Sequence, residues 1–215
     1  MHIVAPDASD VTEFDPNGYG IESLGILESV PGTREPEGSR GDAARAMQQP
    51  GSQKIVPFLW YTSEAEEAAR FYASVFPDSR VDRVTEMPAD SPSGPPGSVK
   101  VVDFTLCGQA FTAMSAGPHD AFNDAISLLV NCDSQEEIDR YWNAILESGG
   151  EPQACGWIKD RYGVRWQIVP TRLLTMMADA DRSKAGRAAE EMMRQVKLDL
   201  ARLEAAFEGR PLPEA

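Results

Sequence analysis

The chain has 215 residues, of which 42% are hydrophobic and 25% are charged. This length and composition suit one globular domain with extensions rather than two full domains. The formal net charge is −14, so a nucleic acid or an anionic membrane would meet repulsion instead of the counterion release that normally drives such binding. We therefore exclude both as expected partners.

The cysteines and the N-terminal residues indicate the cellular compartment. Cys107, Cys132 and Cys155 are an odd set without C-x-x-C spacing, which argues against a disulfide framework and a structural zinc site. The first residues contain no cationic start followed by an apolar run, as a secretory signal would. We expect an unexported protein in a reducing cytoplasm.

Residues 1–52 show no sustained hydrophobic period, and prolines and glycines are scattered through them. Such a stretch buries too little apolar surface to offset the entropy of ordering it, so we expect a largely disordered segment. An alternative is that this segment is not native. Met47 stands just before the first convincing strand and could be the natural start.

From Lys54 the pattern becomes regular, with a strand followed by an amphipathic helix. Ser63 can cap this helix, and Glu66 three residues later would complete a capping box. Three further runs rich in Val, Phe and Thr predict strands, and the Pro- and Gly-rich run 88–97 predicts a loop. The predicted elements of this half are a helix at 63–76 and strands at 54–61, 80–86, 99–106 and 110–115.

The second half repeats this order of elements. It predicts a strand at 125–131, a helix at 133–148 and a closing hairpin of 151–159 and 164–169. Two Glu, one Arg and two aromatic residues within 66–72 recur within 136–142, at a constant offset of 70. The match favours an internal repeat, although acidic helix starts and aromatic core positions are common enough for chance to produce it.

After Pro170, a short apolar stretch leads to a predicted helix over 183–207. Its apolar residues are spaced by alternating fours and threes, which places them on one face. They are Ala189, Met193, Val196, Leu200, Leu203 and Phe207. This stripe must cover something, and packing on its own domain is favoured over docking on a partner subunit.

The closing hairpin offers candidate ligand contacts. A four-residue connection at 160–163, with Asp160 and Gly163 as turn residues, would pair Trp157 with Trp166. Gln167 would then face the concave side of the sheet, where its amide could orient a polar ligand or be satisfied by neighbouring backbone. The two Trp suit a core role better than stacking on a ligand.

Three further side chains could carry chemistry. On the third strand Asp103 alternates with apolar neighbours, so it is a candidate general base or hydrogen-bond acceptor, although a sheet edge in water would explain it equally well. Cys155 could contact a ligand, but a buried, inert thiol fits better. His119, the single histidine outside the N-terminal segment, lies in a Gly-Pro-His-Asp loop that predicts a solvated residue.

Four stretches together resemble the PhnB-like branch of the vicinal-oxygen-chelate superfamily, which includes glyoxalases, bleomycin-resistance proteins and dioxygenases. They are residues 55–72, 108–114, the hairpin from Cys155 to Pro170, and the tail 183–207. The resemblance implies an α+β fold of two βαβββ modules with a C-terminal helical extension, whose curved sheets enclose a cavity that is usually completed in a homodimer. The expected divisions are therefore 1–52, a domain at 53–170, and the extension at 171–215.

The resemblance also implies where a metal would bind. In metal-using relatives, each module supplies one ligand from its first strand and one from its last strand. The matching positions here are Pro57, Thr112, Ser127 and Gln167. None is a usual ligand, and neutral side chains offer no charge to offset the desolvation of a divalent ion. We expect no metal and no other cofactor.

The sequence thus predicts a metal-free protein that binds a small, partly aromatic molecule. The candidate ligand contacts are Gln167, Trp157, Trp166, Thr112, Ser127 and Cys155. The alternative is a lyase-, isomerase- or dioxygenase-like enzyme acting on a small oxygenated substrate, with Asp103 as a catalytic group or with metal ligands elsewhere. The name 3-demethylubiquinone methyltransferase, also used for this branch, is not supported, because the chain lacks a Gly-rich strand-to-helix turn for S-adenosylmethionine.

Overall fold

The computed structural model describes residues 53–214, which form two four-stranded sheets and five α-helices. The expectations for residues 1–52, including a natural start at Met47, lie outside this range. The strands are β1 (Phe58–Tyr61), β2 (Arg80–Glu86), β3 (Lys100–Leu106), β4 (Gln109–Ser115), β5 (Leu128–Cys132), β6 (Glu151–Pro152), β7 (Trp157–Lys159) and β8 (Arg165–Pro170). The helices are α1 (Ala65–Val75), α2 (Gln135–Glu147), α3 (Thr171–Met177), α4 (Arg182–Arg194) and α5 (Leu200–Glu208).

The two sheets share one topology. Their strand orders are β1-β4-β3-β2 and β5-β8-β7-β6. In each sheet the first strand pairs in parallel with the last strand of its module, and the remaining pairs are antiparallel. This repeated βαβββ arrangement confirms the predicted α+β fold of two modules.

One side of each sheet packs into a core that both modules share. Phe104 of β3, Tyr72 of α1, Ile138 of α2 and Trp166 of β8 belong to one cluster of buried residues. Side chains alternate across a strand, so the neighbouring positions point to the other side of each sheet. That side of each sheet is not covered by other elements, and we call it the open face. The side chain of Phe58 in β1, for example, is 55% exposed there.

The predicted cap of the first helix is wrong. Glu64 occupies the N-cap position without a side-chain cap, and its carboxylate instead accepts a hydrogen bond from the backbone N–H of Ser63. The first amide of α1 donates to Ser115 Oγ, a long-range contact that local sequence does not reveal. A side-chain cap does form at α2, where Ser134 Oγ accepts from the N–H of Glu137.

The single helix predicted over 183–207 is also wrong, because the chain leaves the helix between α4 and α5. The carbonyls of Gln195 and Val196 accept hydrogen bonds from the N–H groups of Cys155 and Gly156, at 2.8 Å each. Val196 and Met193 of the predicted stripe are 50% and 60% exposed, so the stripe is not buried as one face. The chain therefore adopts a non-helical conformation here, because its carbonyls bind the amides of the second module, although the spacing of apolar residues predicts a helix.

The extension packs on the same chain. Leu173, Leu198, Leu203 and Phe207 form a second cluster of buried residues with Val169 of β8. The helices between residues 53 and 214 are all too short or too polar to cross a bilayer.

Candidate functional site

A cavity of about 480 Å³ opens beside the first sheet. Gln53 and Val56 line it before β1, and Phe111 and Thr112 of β4 line it with Asp103 of β3. Asp103 lies opposite Thr112 in the β3–β4 register, so both side chains belong to the open face. The structure therefore brings two of the predicted site residues together.

Asp103 is held by partners on both neighbouring strands. Arg83 of β2 donates to Oδ2 through Nη2 at 2.6 Å and Nε at 3.0 Å, and the Thr112 hydroxyl donates to Oδ1 at 3.1 Å. A bulge between Val81 and Arg83 shifts the register and sets Arg83 opposite Asp103. The extra residue, Asp82, accepts a hydrogen bond from Thr105 at 2.7 Å.

This cluster can orient a polar ligand. The side chain of Arg83 is 73% exposed and that of Asp103 is 31% exposed, so the ion pair remains in contact with solvent. A solvent-exposed ion pair contributes little to stability, about 0–1 kcal/mol. At the cavity wall, the Arg83 guanidinium can donate hydrogen bonds to a ligand, and the Asp103 carboxylate and the Thr112 oxygen can accept them from it.

Gln167 and Ser127 form a second cluster on the other sheet. The Gln167 amide donates to Ser127 Oγ at 2.7 Å. Gln167 lies opposite Trp157 on one side and opposite Leu129 on the other. Leu129 is 48% exposed, which places this cluster on the open face of the second sheet.

The predicted pairing of the closing hairpin is wrong by one residue. Ile158 lies opposite Trp166, and Trp157 lies opposite Gln167. The cause is Asp160, whose backbone pairs with Val164 while its carboxylate accepts the Val164 N–H at 2.9 Å. The connection is thus three residues long instead of four.

The side chains of Trp166 and Cys155 are not part of the hydrogen bonds that form either cluster. Trp166 is 2% exposed, and its indole N–H donates to Asp160 Oδ2 at 2.8 Å while its ring stacks on Phe76 at 5.0 Å. Cys155 has a φ of 61° and donates its N–H to Gln195. These contacts give both residues an evident structural role.

Within one chain the two clusters line different hollows. Thr112 and Asp103 line the cavity of about 480 Å³, whereas Ser127 borders another of about 370 Å³ together with Leu128 and Trp166. Thr112 and Ser127 thus line two different cavities of one chain.

The register also corrects the position equivalent to Pro57. Phe58 lies opposite Thr112 and Leu129 lies opposite Gln167, so equivalent strand residues are 71 apart. The helices keep the offset of 70, because the strand-to-helix connection is one residue shorter in the second module. Leu128, not Ser127, is thus the counterpart of Pro57.

The residues at these positions do not fit a divalent metal. Pro57 and Leu128 carry no donor side chain, and Thr112 and Gln167 are neutral. Among residues 53–214, no three His, Cys, Asp or Glu side chains are grouped closely enough to hold an ion. Any metal chemistry in this chain would need a different set of ligands.

Sequence reasoning missed the role of Asp160, which was expected only as a turn residue. Its carboxylate accepts hydrogen bonds from the Tyr72 hydroxyl at 2.7 Å and from Trp166, and from the backbone N–H groups of Tyr162 and Val164. Burial raises the pKa of Asp160, and these four donors oppose that rise only in part. The residue joins α1 of the first module to the hairpin of the second.

This pair of open-faced βαβββ modules defines the vicinal-oxygen-chelate fold. The sequence model described as 3-demethylubiquinone-9 3-methyltransferase matches residues 53–169. The chain belongs to this family, the PhnB-like branch of the glyoxalase, bleomycin-resistance and dioxygenase superfamily.

Several solved structures are similar to a little over half of the chain. A PhnB protein from Bacillus cereus is 32% identical, with 55% of this chain and 100% of that chain covered and a TM-score of 0.49. A protein from Pseudomonas aeruginosa is 26% identical, covering 55% and 98%, with a TM-score of 0.43. The fosfomycin resistance protein FosX from Mesorhizobium loti is 15% identical, covering 58% and 98%, with a TM-score of 0.42. No curated protein matches the chain.

Proposed function

We propose that this protein binds a small, partly aromatic molecule in the cavity of the first sheet, without a metal ion. The observation that carries the proposal is the Asp103 cluster, in which a carboxylate, a guanidinium and a hydroxyl meet at a cavity that Phe111 and Val56 also line. Binding pockets for small molecules characteristically combine apolar walls with a few polar groups that fix orientation.

Methyl transfer, the activity in the name of the family model, has no support in the site. Among the described strands, the parallel pairs are β1 with β4 and β5 with β8, and each joins the ends of one βαβββ module. The doubly wound sheet that commonly holds a nucleotide cofactor does not occur between residues 53 and 214. Methyl transfer from S-adenosylmethionine by the purified protein would contradict this part of the proposal.

Catalysis is the second candidate, and Asp103 favours it. A carboxylate at a cavity wall could remove a proton from a bound substrate, as a lyase or isomerase requires. Asp103→Asn separates the two functions, because the amide still accepts a hydrogen bond but is a far weaker base. An enzyme would lose turnover while its ligand affinity changed modestly.

We also propose that two copies associate through the open faces. Phe58, Trp60 and Leu129 are 55%, 40% and 48% exposed there, and burying such side chains is favourable. A second copy could also bring a Thr112 cluster to face a Gln167 cluster. Light scattering after gel filtration should give twice the chain mass of 23.5 kDa. Phe58→Glu should shift that mass towards one chain, and a wild-type mass of one chain would contradict the association.

A thermal-shift screen of small hydroxylated aromatic compounds, followed by calorimetric titration of the best compound, tests the binding site. Asp103→Ala should weaken binding about tenfold or more, since a hydrogen bond to a charged group contributes about 1.5–3 kcal/mol. Asp124→Ala is the matched control, because Asp124 pairs with Arg165 at the surface and does not line the cavity. Equal affinity of wild type and Asp103→Ala would exclude this cavity as the site.

A further inference from the structure

Arg83 of the Asp103 cluster has hydrogen-bond donors left for a ligand. Its Nε and Nη2 both donate to Asp103 Oδ2, at 3.0 Å and 2.6 Å. Between residues 53 and 214, no acceptor takes the N–H groups of its Nη1. The bulge in β2 and the ion pair hold this guanidinium at the wall of the cavity beside the first sheet. It can therefore present oriented donors to a carboxylate, which is among the groups that a guanidinium binds most strongly.

Acceptors lie next to these donors. The Thr112 hydroxyl gives its proton to Asp103 Oδ1 at 3.1 Å, so the Thr112 oxygen keeps its lone pairs. Asp103 Oδ1 accepts that one hydrogen bond from the described residues, although a carboxylate oxygen can accept more than one. Arg83, Asp103 and Thr112 are paired across three neighbouring strands, so the donors and acceptors form one row. A ligand that used the whole row would need an acceptor at one end and a hydroxyl donor at the other.

The ion pairs at this wall favour an anion over a cation. Asp82 is the remaining charged residue described in the cavity lining. It pairs with Arg80 Nε at 2.7 Å and accepts a hydrogen bond from the Thr105 hydroxyl. Both aspartates of the lining therefore already have a guanidinium partner, and a ligand cation would have to displace that partner. A ligand carboxylate can bind Nη1 of Arg83 while both ion pairs stay intact.

The rest of the cavity lining is apolar apart from Gln53. The Gln53 amide is held in place, since it accepts from the N–H of Ala110 at 3.2 Å and donates to the carbonyl of Ile55 at 2.8 Å. Val56 and Ala110 are half-buried and line the cavity. Contact with these alkyl groups favours an apolar ligand body and requires no free aromatic face on the protein. The cavity volume of about 480 Å³ suits a molecule with one substituted ring.

We infer that the ligand of this cavity is a small aromatic hydroxycarboxylic acid. Its carboxylate accepts hydrogen bonds from Arg83 Nη1, and its hydroxyl donates to Asp103 Oδ1. Its ring lies against Val56 and Ala110. This inference rests on the proposed function, since it specifies the ligand class of the same cavity. Neighbouring strands lie about 4.8 Å apart, so the carboxylate and the hydroxyl belong on non-adjacent ring carbons. A hydroxyl on the adjacent carbon would instead donate to the ligand's own carboxylate.

Calorimetric titration of the full chain with 3-hydroxybenzoate and with 3-hydroxybenzamide tests the inference. The two probes share the ring and the hydroxyl, but the amide is uncharged. The acid should bind about tenfold more tightly or better, because it pairs with a charged donor. Arg83→Gln should abolish this preference, and Arg83→Lys should keep part of it, since lysine retains the charge without the planar fork. Arg70→Gln is the matched control, because Arg70 is an exposed arginine that pairs with Glu66 and does not line the cavity.

The inference is overturned if 3-hydroxybenzoate gives no saturable binding, if the acid and the amide bind equally well, or if Arg83→Gln keeps the preference for the acid. Circular dichroism of the Arg83 and Arg70 variants ensures that a lost signal does not reflect unfolding. The proposed function fails separately. A neutral compound that binds wild type and is weakened by Asp103→Ala would leave the cavity as the binding site and refute only the selection of acids.

Discussion

Asp160 shows how one side chain can connect two modules. Its carboxylate is buried and accepts four hydrogen bonds, two from the side chains of Tyr72 and Trp166 and two from backbone N–H groups of its own turn. Removing a buried acceptor leaves each donor without a partner in a region of low polarity, which is more costly than losing a surface contact.

Replacing Asp160 with Asn should therefore destabilise the protein by about 3 kcal/mol, since an amide presents donors where the site supplies donors already. Asp124→Asn, which alters an aspartate that is 70% exposed, should cost less than about 1 kcal/mol. Guanidinium unfolding monitored by tryptophan fluorescence measures both changes. Similar losses for the two variants would show that the Asp160 network contributes little.

The difference in stability between wild type and Asp160→Asn should depend on pH, and the direction follows from the pKa of Asp160. Burial raises the folded-state pKa of Asp160 above its unfolded value of about 3.9, so the folded state binds this proton more tightly. The resulting stabilisation is complete below the unfolded pKa and is lost as pH rises through the folded one. The stability advantage of wild type over Asp160→Asn should thus shrink as pH increases from about 4. An advantage that grows over this range would contradict the assignment.

At the scale of elements, local pattern predicted most of the fold. The bounds of β2 agree with the prediction at both ends, and α1 and α2 differ from it by one or two residues. The errors share a cause, because each involves a contact distant in sequence or a side chain acting on the backbone. The hydrogen bonds between Asp160 and Val164 make the hairpin turn one residue shorter than predicted. The amides of Cys155 and Gly156 bind the carbonyls of residues 195 and 196, which are not helical.

Gly156 is the point where the C-terminal extension meets the second sheet. It has a φ of +80°, and an added Cβ would lie 2.9 Å from the carbonyl oxygen of Ile168 and 3.0 Å from Leu198 Cδ1. Gly156→Ala should cost about 2 kcal/mol or more from backbone strain and overpacking.

Gly186→Ala is the control for that prediction. Nothing lies within 4 Å of an added Cβ at this position of α4. The change should stabilise the protein by about 0.5–1 kcal/mol, as expected for Gly to Ala within a helix. Thermal unfolding distinguishes the two variants, and a Gly156→Ala protein as stable as wild type would refute the close approach.

Glu191 ties α4 to α5 from a position that is 2% exposed. Burial raises its pKa, but hydrogen bonds from Gln195 and Arg202 outweigh burial, and the net pKa is lowered. The stabilisation from ionised Glu191 is therefore present above its pKa in the unfolded chain and is lost as pH falls through its pKa in the folded protein.

Glu191→Gln should cost about 1–3 kcal/mol at neutral pH and less in acid, the opposite trend to Asp160. Glu190→Gln on the exposed side of α4 should change little, and a pH-independent effect of Glu191→Gln would contradict this account.

At the scale of the whole molecule, the sequence predicted only part of the candidate site. Strand alternation pointed to Asp103, and the family resemblance pointed to Thr112, Ser127 and Gln167; the structure joins these four as two hydrogen-bonded pairs. The other contacts of the candidate site depend on strand register and on the bulge in β2. Arg83 reaches Asp103 only because β2 is bulged, and no periodicity in the sequence marks that position.

We propose that neutral residues stand where metal-using relatives carry their ligands, so that recognition depends on hydrogen bonds and apolar contact. Elemental analysis of protein purified without chelators tests this most directly. We predict zinc, nickel, manganese and iron well below one ion per chain, with ligand binding unaffected by added chelator. A stoichiometric transition metal whose removal abolished ligand binding would contradict the claim.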